Sequence, residues 1–394
     1  MIVKNVMVFT EEKEFVPGFV EIDGGIFRQV CLGKETENAA FSEQEQVIDG
    51  QGAYAIPGMI DLHFHGCMGY DFCDGTKEAM EAIAAYEASI GVTAISPATM
   101  TLPVEELEGI LGTAAACRVK QQEGMGESGA DLVGINMEGP FISREKKGAQ
   151  DERNIIPCDV EIYHRFQKAA KGLIKYVGIA PEVTDAREFI HQVKDEVRVS
   201  LAHTNADYDT AMAAFDAGAS HAVHLYNAMP AFTHRKPGVV GAVADSSHVM
   251  AEMICDGVHI HPAVVRATFR MLGADRIILI SDSMRAAGMP DGRYTLGGLD
   301  VDVMGNRATL VSDGALAGSV TTLPDCVRTV VKKMGIGLGT AVACATENPA
   351  KSLGIYGQYG SITPGKKANL VLWDRDLELK MVIKDGRILK EEKK

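Results

Sequence analysis

The chain has 394 residues, 46% of them hydrophobic and 23% charged, which is the profile of a soluble globular protein too long for one average domain. A formal net charge of −14 argues against non-specific binding to nucleic acid or to anionic membranes, and any anionic substrate needs a local cluster of cations. No apolar run approaches a membrane span and the N-terminus lacks the apolar core of a signal peptide, so the expected compartment is the cytoplasm. The eight cysteines form no CxxC pair, which excludes a Cys-based zinc site and fits reduced thiols.

Residues 1–55 alternate short β-type runs with turns, as in MIVKNVMVF, GFVEIDGGIFRQVCLG and QVIDGQGAYAIPG. Between the termini, apolar strands alternate with Ala-rich helical stretches. A helix is predicted over 76–90, strands over 91–100 and 131–139, a helix over 205–218, and strands over 221–228 and 276–283. The run GIGLG at 335–339 lacks nucleotide-loop spacing and is read as a turn before a helix over 340–353. The C-terminal segments GSITPGKKANLVLWD and KMVIKDGRIL return to the β texture of the N-terminus. Neither end alone has enough apolar surface for a core. The expectation is α/β: a (β/α)8 TIM-type barrel over 57–357, and a small β-sandwich domain built from 1–56 and 358–394.

Metal-ligand side chains fall where predicted strands end. His63 and His65 close IPGMIDLHFHG, and residues i and i+2 of a strand share a face. Glu138 ends LVGINMEGP, His203 ends VRVSLAHT, His224 lies in HAVHLYNAM and Asp282 ends RIILISD. Singly, each has an ordinary structural reading, as a rim ion-pair partner, a core histidine or a helix cap. Jointly they converge, because the C-terminal strand ends of a barrel meet on one face. Imidazole and carboxylate donors suit zinc or a similar divalent ion. His221 shares the face of His224 less well and is read as structural.

The segments PGMIDLHFHG, NMEGPFIS, LAHTNADY, HLYNAMPAFTHRKPG, DGVHIHP, SDSMRAAGM and ALAGS resemble, in that order, the motifs of the N-acetylglucosamine-6-phosphate deacetylase family of amidohydrolases. The resemblance continues through ATENPAKSLG and GSITPGKKANLVLWD and so covers most of the chain. It implies that Glu138, His203 and His224 hold the principal metal, that His63 and His65 add a second position, and that Asp282 is the catalytic acid/base. It further implies substrate contacts from Asn227, Ala228, His259 and the Leu316, Ala317, Gly318 loop, with Arg235 on the 6-phosphate. Where some members carry His, this chain has Gln150, which leaves its role as a sugar contact open. Implied too are one or two divalent ions per subunit (Zn2+ first, Fe2+ or another as alternatives) and a homodimer in which Arg235 crosses to the neighbouring site. The chemistry agrees: an amide needs a strong nucleophile and a protonated leaving nitrogen, which a metal-activated water and a carboxylate supply. Competing readings are another amidohydrolase on a related amide, separated by phosphate dependence, and a non-catalytic sensor or scaffold, separated by metal content.

Overall fold

The computed structural model describes residues 1–33, 46–124 and 129–391; the stretches 34–45, 125–128 and 392–394 of the expected units lie outside the described residues. Both termini contribute to one seven-stranded mixed sheet, so the expected small β unit is a single hydrogen-bonded ladder. Its centre is Val47–Pro57, which pairs parallel with Ile2–Phe9 and antiparallel with Leu370–Trp373. Alternation along Leu370–Trp373 explains how the sheet is held. Leu370 and Leu372 join the sheet's own core with Val3, Val6, Val8, Phe27 and Ile383. Val371 and Trp373 point the other way, into the core shared with the barrel helices. Burying a Trp and a Val on that second face stabilises the joint by several kcal/mol, at roughly 1.5–3 kcal/mol for each large apolar side chain.

Val47–Pro57 runs through Gly58 into the first barrel strand, Met59–Asp61. Gly58 is required there because a Cβ would lie 2.1 Å from Thr93 Oγ1. Met59–Asp61 pairs parallel with Val92–Ile95, which pairs parallel with Asp131–Leu132. That last segment continues as Ile135–Glu138, the first member of a six-stranded parallel ladder in sequence order with Ile174–Ile179, Arg198–Leu201, His221–Ala222, Met250–Ile254 and Ile277–Ile280. The two ladders join at a parallel bridge between Ala98 and Asn136. The ring closes where the Asp282 N–H donates to the His63 carbonyl at 3.0 Å. This is the eight-position parallel barrel expected of the strand and helix alternation. Ile60, Leu62, Tyr176, Ile254, Ile278 and Ile280 fill its interior.

The helices begin where caps predict. Thr76 Oγ1 accepts from Ala79 N–H at the start of Lys77–Ser89, and Asp207 does the same for Thr210 N–H before Tyr208–Ala217. Three elements differ from expectation. The helix expected over 340–353 is two, Leu338–Ala345 and Glu347–Ser352, broken at Thr346. The break places Pro349 in a first helical turn, where its missing N–H costs nothing. The strand expected over 221–228 stops at Ala222, because His224, Tyr226 and Ala228 all take positive φ and turn the chain away. Unanticipated was a three-stranded antiparallel sheet, Gly292–Leu296, Leu299–Met304 and Arg307–Leu310, inserted after the last barrel strand. It has its own small core of Leu296, Val301, Val303, Ala308 and Leu310 packed on Met284 and Met100. That core seats it over the barrel mouth.

Candidate metal and active site

Glu138 is the hub at the C-terminal mouth of the barrel. Its Oε1 lies 2.9 Å from His224 Nε2, 3.1 Å from His203 Nε2 and 3.4 Å from His63 Nε2. Its Oε2 accepts from Gln150 Nε2 at 2.8 Å and lies 3.4 Å from His65 Nε2. Asp282 Oδ1 faces the same group, 3.4 Å from His65 Nε2 and 3.7 Å from His63 Nε2. The structure therefore brings together all six residues singled out as ligands or acid/base, and each is at least nine-tenths buried. Two triads, His63 with Glu138 and His224, and His63 with His65 and Asp282, have donor atoms within 4.8 Å of one another. His63 is common to both.

The backbone that delivers these side chains is unusual. His203, His224 and Asp282 have φ of 44°, 28° and 49°, values few non-glycine residues adopt. A left-handed residue just past a strand turns the chain off the barrel wall and swings its side chain over the opening. Such strain persists where surrounding structure enforces it, and it concentrates at functional sites. His63 and His65 lie beyond the strand that ends at Asp61, so they converge through the loop and not through strand alternation. Gly139 follows Glu138 at φ 89°, and a Cβ there would meet Thr101 Oγ1 at 2.2 Å.

Ring nitrogens are set by their partners. His203 Nδ1 lies 2.9 Å from the Lys146 carbonyl, an acceptor, so that nitrogen carries the proton and Nε2 is the free lone pair. His63 Nδ1 is 2.7 Å from Glu252 Oε2, with the same consequence. His63 Nε2 is buried and makes no hydrogen bond, although Glu138 is near. Burial would raise the Glu138 carboxyl, yet the His63 and His203 imidazoles hold it well below the ordinary carboxylate range. Asp282 is likewise lowered, with burial opposed first by its hydrogen bond with His65. Two carboxylates and four imidazoles focused on one point, with a buried lone pair lacking a hydrogen-bond partner, are a donor set that fits a divalent cation.

A cavity of about 310 Å³ opens above this group. Of the predicted substrate contacts, Gln150, Asn227, Ala228, His259, Leu316 and Gly318 line it. Ala317 is buried behind the wall, its N–H donating to the Ala308 carbonyl of the inserted sheet. Gly318 runs at φ 58° against the Asp282 carbonyl, which a Cβ would approach to 3.2 Å. Arg235 is the exception, lining a separate cavity with Asp207, Tyr208 and Pro230 on an exposed loop. Gln150 is engaged with Glu138 and, through Oε1, with Thr101 N–H, so its amide is fixed before any sugar arrives.

Three contributors escaped the sequence reading. Glu252 is fully buried and bonds both His63 and His221. Asp256 Oδ2 holds His259 Nδ1 at 2.8 Å, while its Oδ1 accepts the His259 and Val258 N–H groups. Burial alone would lower the His259 pKa; Asp256 outweighs it, so His259 keeps its proton to higher pH than an ordinary histidine. Leu296 of the inserted sheet forms part of the cavity roof. The only sequence signal for Glu252 was one carboxylate inside the apolar run VMAEMI, and for Asp256 its place in DGVHIHP.

A parallel barrel with a histidine and carboxylate cluster at its mouth is the architecture of metal-dependent hydrolases, and residues 54–389 match the amidohydrolase family. The chain is 36% identical over 389 residues to the N-acetylglucosamine-6-phosphate deacetylase of Bacillus subtilis (strain 168), covering 98% of this chain and 96% of that one. It is 35% identical to the N-acetylgalactosamine-6-phosphate deacetylase of Escherichia coli O157:H7, covering 84% and 86%. Among solved structures it matches a mutant N-acetyl-D-glucosamine-6-phosphate deacetylase of Mycobacterium smegmatis in complex with N-acetyl-D-glucosamine-6-phosphate, at TM-score 0.89, 32% identity and 98% coverage of both chains. The chain belongs to the amidohydrolase family and, within it, to the N-acetylglucosamine-6-phosphate deacetylases. Among the described residues no helix is long and apolar enough to cross a membrane.

Proposed function

We propose that the protein hydrolyses N-acetylglucosamine 6-phosphate to glucosamine 6-phosphate and acetate, in cytoplasmic amino-sugar breakdown. The observation that carries this is the convergence of Glu138, His203, His224 and Asp282 at the floor of the cavity, in a chain related over nearly its full length to enzymes of that name. Glu138, His203 and His224 hold the principal ion and His63 with His65 a second position; zinc suits this donor set best, with Fe2+ or another divalent ion as alternatives. When bound, the ion polarises the acetyl carbonyl and makes water a competent nucleophile near neutral pH.

The remaining chemistry belongs to the chain. The Asp282 carboxylate takes the proton from the attacking water and gives it to the amide nitrogen, which leaves only when protonated. His259, its Nδ1 tied to Asp256, offers Nε2 to the sugar. Leu316 and Gly318, beneath the inserted sheet, limit water around the reacting carbonyl.

Arg235 supplies the planar donor fork for the 6-phosphate from the partner subunit of a homodimer. Two observations support the crossing: the side chain is exposed on a projecting loop, and it does not line its own subunit's cavity. Mixed dimers of Arg235→Ala and Asp282→Asn test it, because only a shared site lets one intact Asp282 meet one intact Arg235. Recovery of up to about half of wild-type activity is expected; no recovery despite confirmed subunit exchange excludes the shared site.

A second reading concerns the sugar. The relative named for N-acetylgalactosamine 6-phosphate is nearly as similar as the one named for the gluco epimer. Comparing kcat/KM for the two phosphorylated epimers, with and without added zinc, decides between them. Activity undiminished in chelator-treated protein rejects the mechanism altogether.

A further inference from the structure

Glu252 has no place in the reaction just described, and its surroundings give it no ordinary reason to be there. It sits on the barrel strand Met250–Ile254 at 0% exposure, beside Ala251, Met253 and Ile254, which are equally buried and apolar. A buried carboxylate is costly unless every lone pair is engaged, and a leucine or methionine at such a position is often as stable or more so. Here each lone pair is engaged. Oε2 accepts from His63 Nδ1 at 2.7 Å and from the His224 backbone N–H at 3.3 Å. Oε1 accepts from His221 Nε2 at 2.9 Å and from Asn136 Nδ2 at 3.4 Å. Four donors therefore converge on the two oxygens, and only an anion satisfies them all.

The bond to His63 has a chemical consequence. A neutral imidazole has one protonated nitrogen and one lone pair, and the partner of the first decides the role of the second. Glu252 holds the proton on Nδ1, which leaves the Nε2 lone pair facing Glu138 at 3.4 Å and Asp282 at 3.7 Å. Without that acceptor the other tautomer becomes available, and its Nε2–H cannot bind a cation. The principal position leans on this arrangement less, since His203 is fixed separately by the Lys146 carbonyl and Glu252 reaches His224 only through its backbone N–H at 3.3 Å.

We propose that Glu252 is the positioning residue that commits His63 to metal binding, and that with His221 behind it Glu252 governs whether the position formed by His63, His65 and Asp282 takes a second divalent ion. This rests on the metal-site reading above. It gives His221 a function as well, as the donor that keeps the Glu252 carboxylate oriented.

The test is a titration of chelator-stripped full-length protein with Zn2+, reading ions per subunit by elemental mass spectrometry and affinity by competition with a chromophoric chelator. Wild type is expected to take two ions. Glu252→Gln, isosteric but unable to accept from all four donors, should bind the first within about threefold of wild type and the second about 10–100-fold more weakly, the usual cost of removing a partner behind a metal ligand. In a His63→Ala background, which should retain one ion, adding Glu252→Gln should weaken that ion by no more than about threefold, the share left to the His224 backbone contact, because the residue acts on the second position through His63. Should Glu252→Gln not fold, Glu252→Asp keeps the charge but not the reach, and a second-ion affinity at least threefold weaker is expected. Equal weakening of both ions alongside a lowered melting temperature marks a merely structural residue and overturns the proposal. So does unchanged binding of the second ion, or a wild type that takes only one. A wild type that binds no ion overturns the metal reading itself, which is a separate failure.

Discussion

Two of the buried charged clusters among the described residues are built on opposite principles. At the seam between the terminal sheet and the barrel, Asp131 Oδ1 accepts from Lys384 Nζ at 2.9 Å, and Oδ2 accepts from Lys367 Nζ at 2.8 Å and Tyr359 O–H at 2.7 Å. Asp385 pairs with the same two lysines, so the group is self-neutralising and closed. At the barrel mouth, Glu138 and Asp282 face histidines whose free nitrogens point inward, and among the described residues no lysine or arginine pairs with either carboxylate. The first cluster spends its charges on holding two parts of the chain together. The second holds charge in reserve for a cation, and its left-handed backbone adds strain that only its surroundings contain. Loss of residues in the first should therefore appear in stability, and in the second in activity.

Removing the cation should be the most damaging single change. Chelation is expected to abolish deacetylation while leaving far-ultraviolet circular dichroism unchanged, and Zn2+ should restore it; His203→Ala or His224→Ala should not be restorable. Next, Asp282→Asn should retain the ion and the fold but lose at least about three orders of magnitude in kcat, roughly 4 kcal/mol of barrier. A variant keeping more than about a tenth of wild-type kcat, a loss of under ~1.4 kcal/mol, removes Asp282 from the proton-transfer role.

The seam should give the converse result. Asp131→Asn leaves Lys384, itself 8% exposed, with only the more exposed Asp385, and should cost roughly 3 kcal/mol in denaturant unfolding. Its kcat per folded molecule should stay within about twofold. A large kcat loss with unchanged stability would collapse the distinction between the clusters. The smallest effect is in pH. Burial would raise the Asp131 pKa, but Lys384 and Lys367 bring it below its ordinary 3.8. A depressed folded-state pKa contributes stability that is complete above the unfolded value and drains away as pH falls through the folded one. Wild type should thus lose this contribution below about pH 4, and Asp131→Asn should show a flatter acid limb in the same unfolding assay.

Legibility of the sequence followed the range of the interactions involved. The barrel and the six converging residues could be read because strand ends in a parallel barrel share one face, so local patterns stood in for three-dimensional position. Glu252 could not, since its partners His63, His221 and Asn136 come from three other strands or strand ends, and nothing in VMAEMI distinguishes a paired carboxylate from an intruder. His221 looked structural for the same reason: its partner lies on the next strand. The inserted sheet was not anticipated, although Leu299–Met304 alternates buried and exposed residues. At Pro349 the helix break was locally encoded, but its physical effect falls three residues upstream, at Thr346.

One of the hydrogen bonds that close the barrel joins Asp282 to His63, one residue from each end of the ring and both from the candidate site. Closure of the ring and the placement of His63 against Asp282 therefore share a contact, so neither is complete without the other. Contacts of such high sequence separation form late, because the entropy of closing the intervening chain must be met first. Partly closed forms of this protein should therefore carry no fractional activity. During refolding, catalysis should emerge with the slowest phase of barrel closure, however early the helices form.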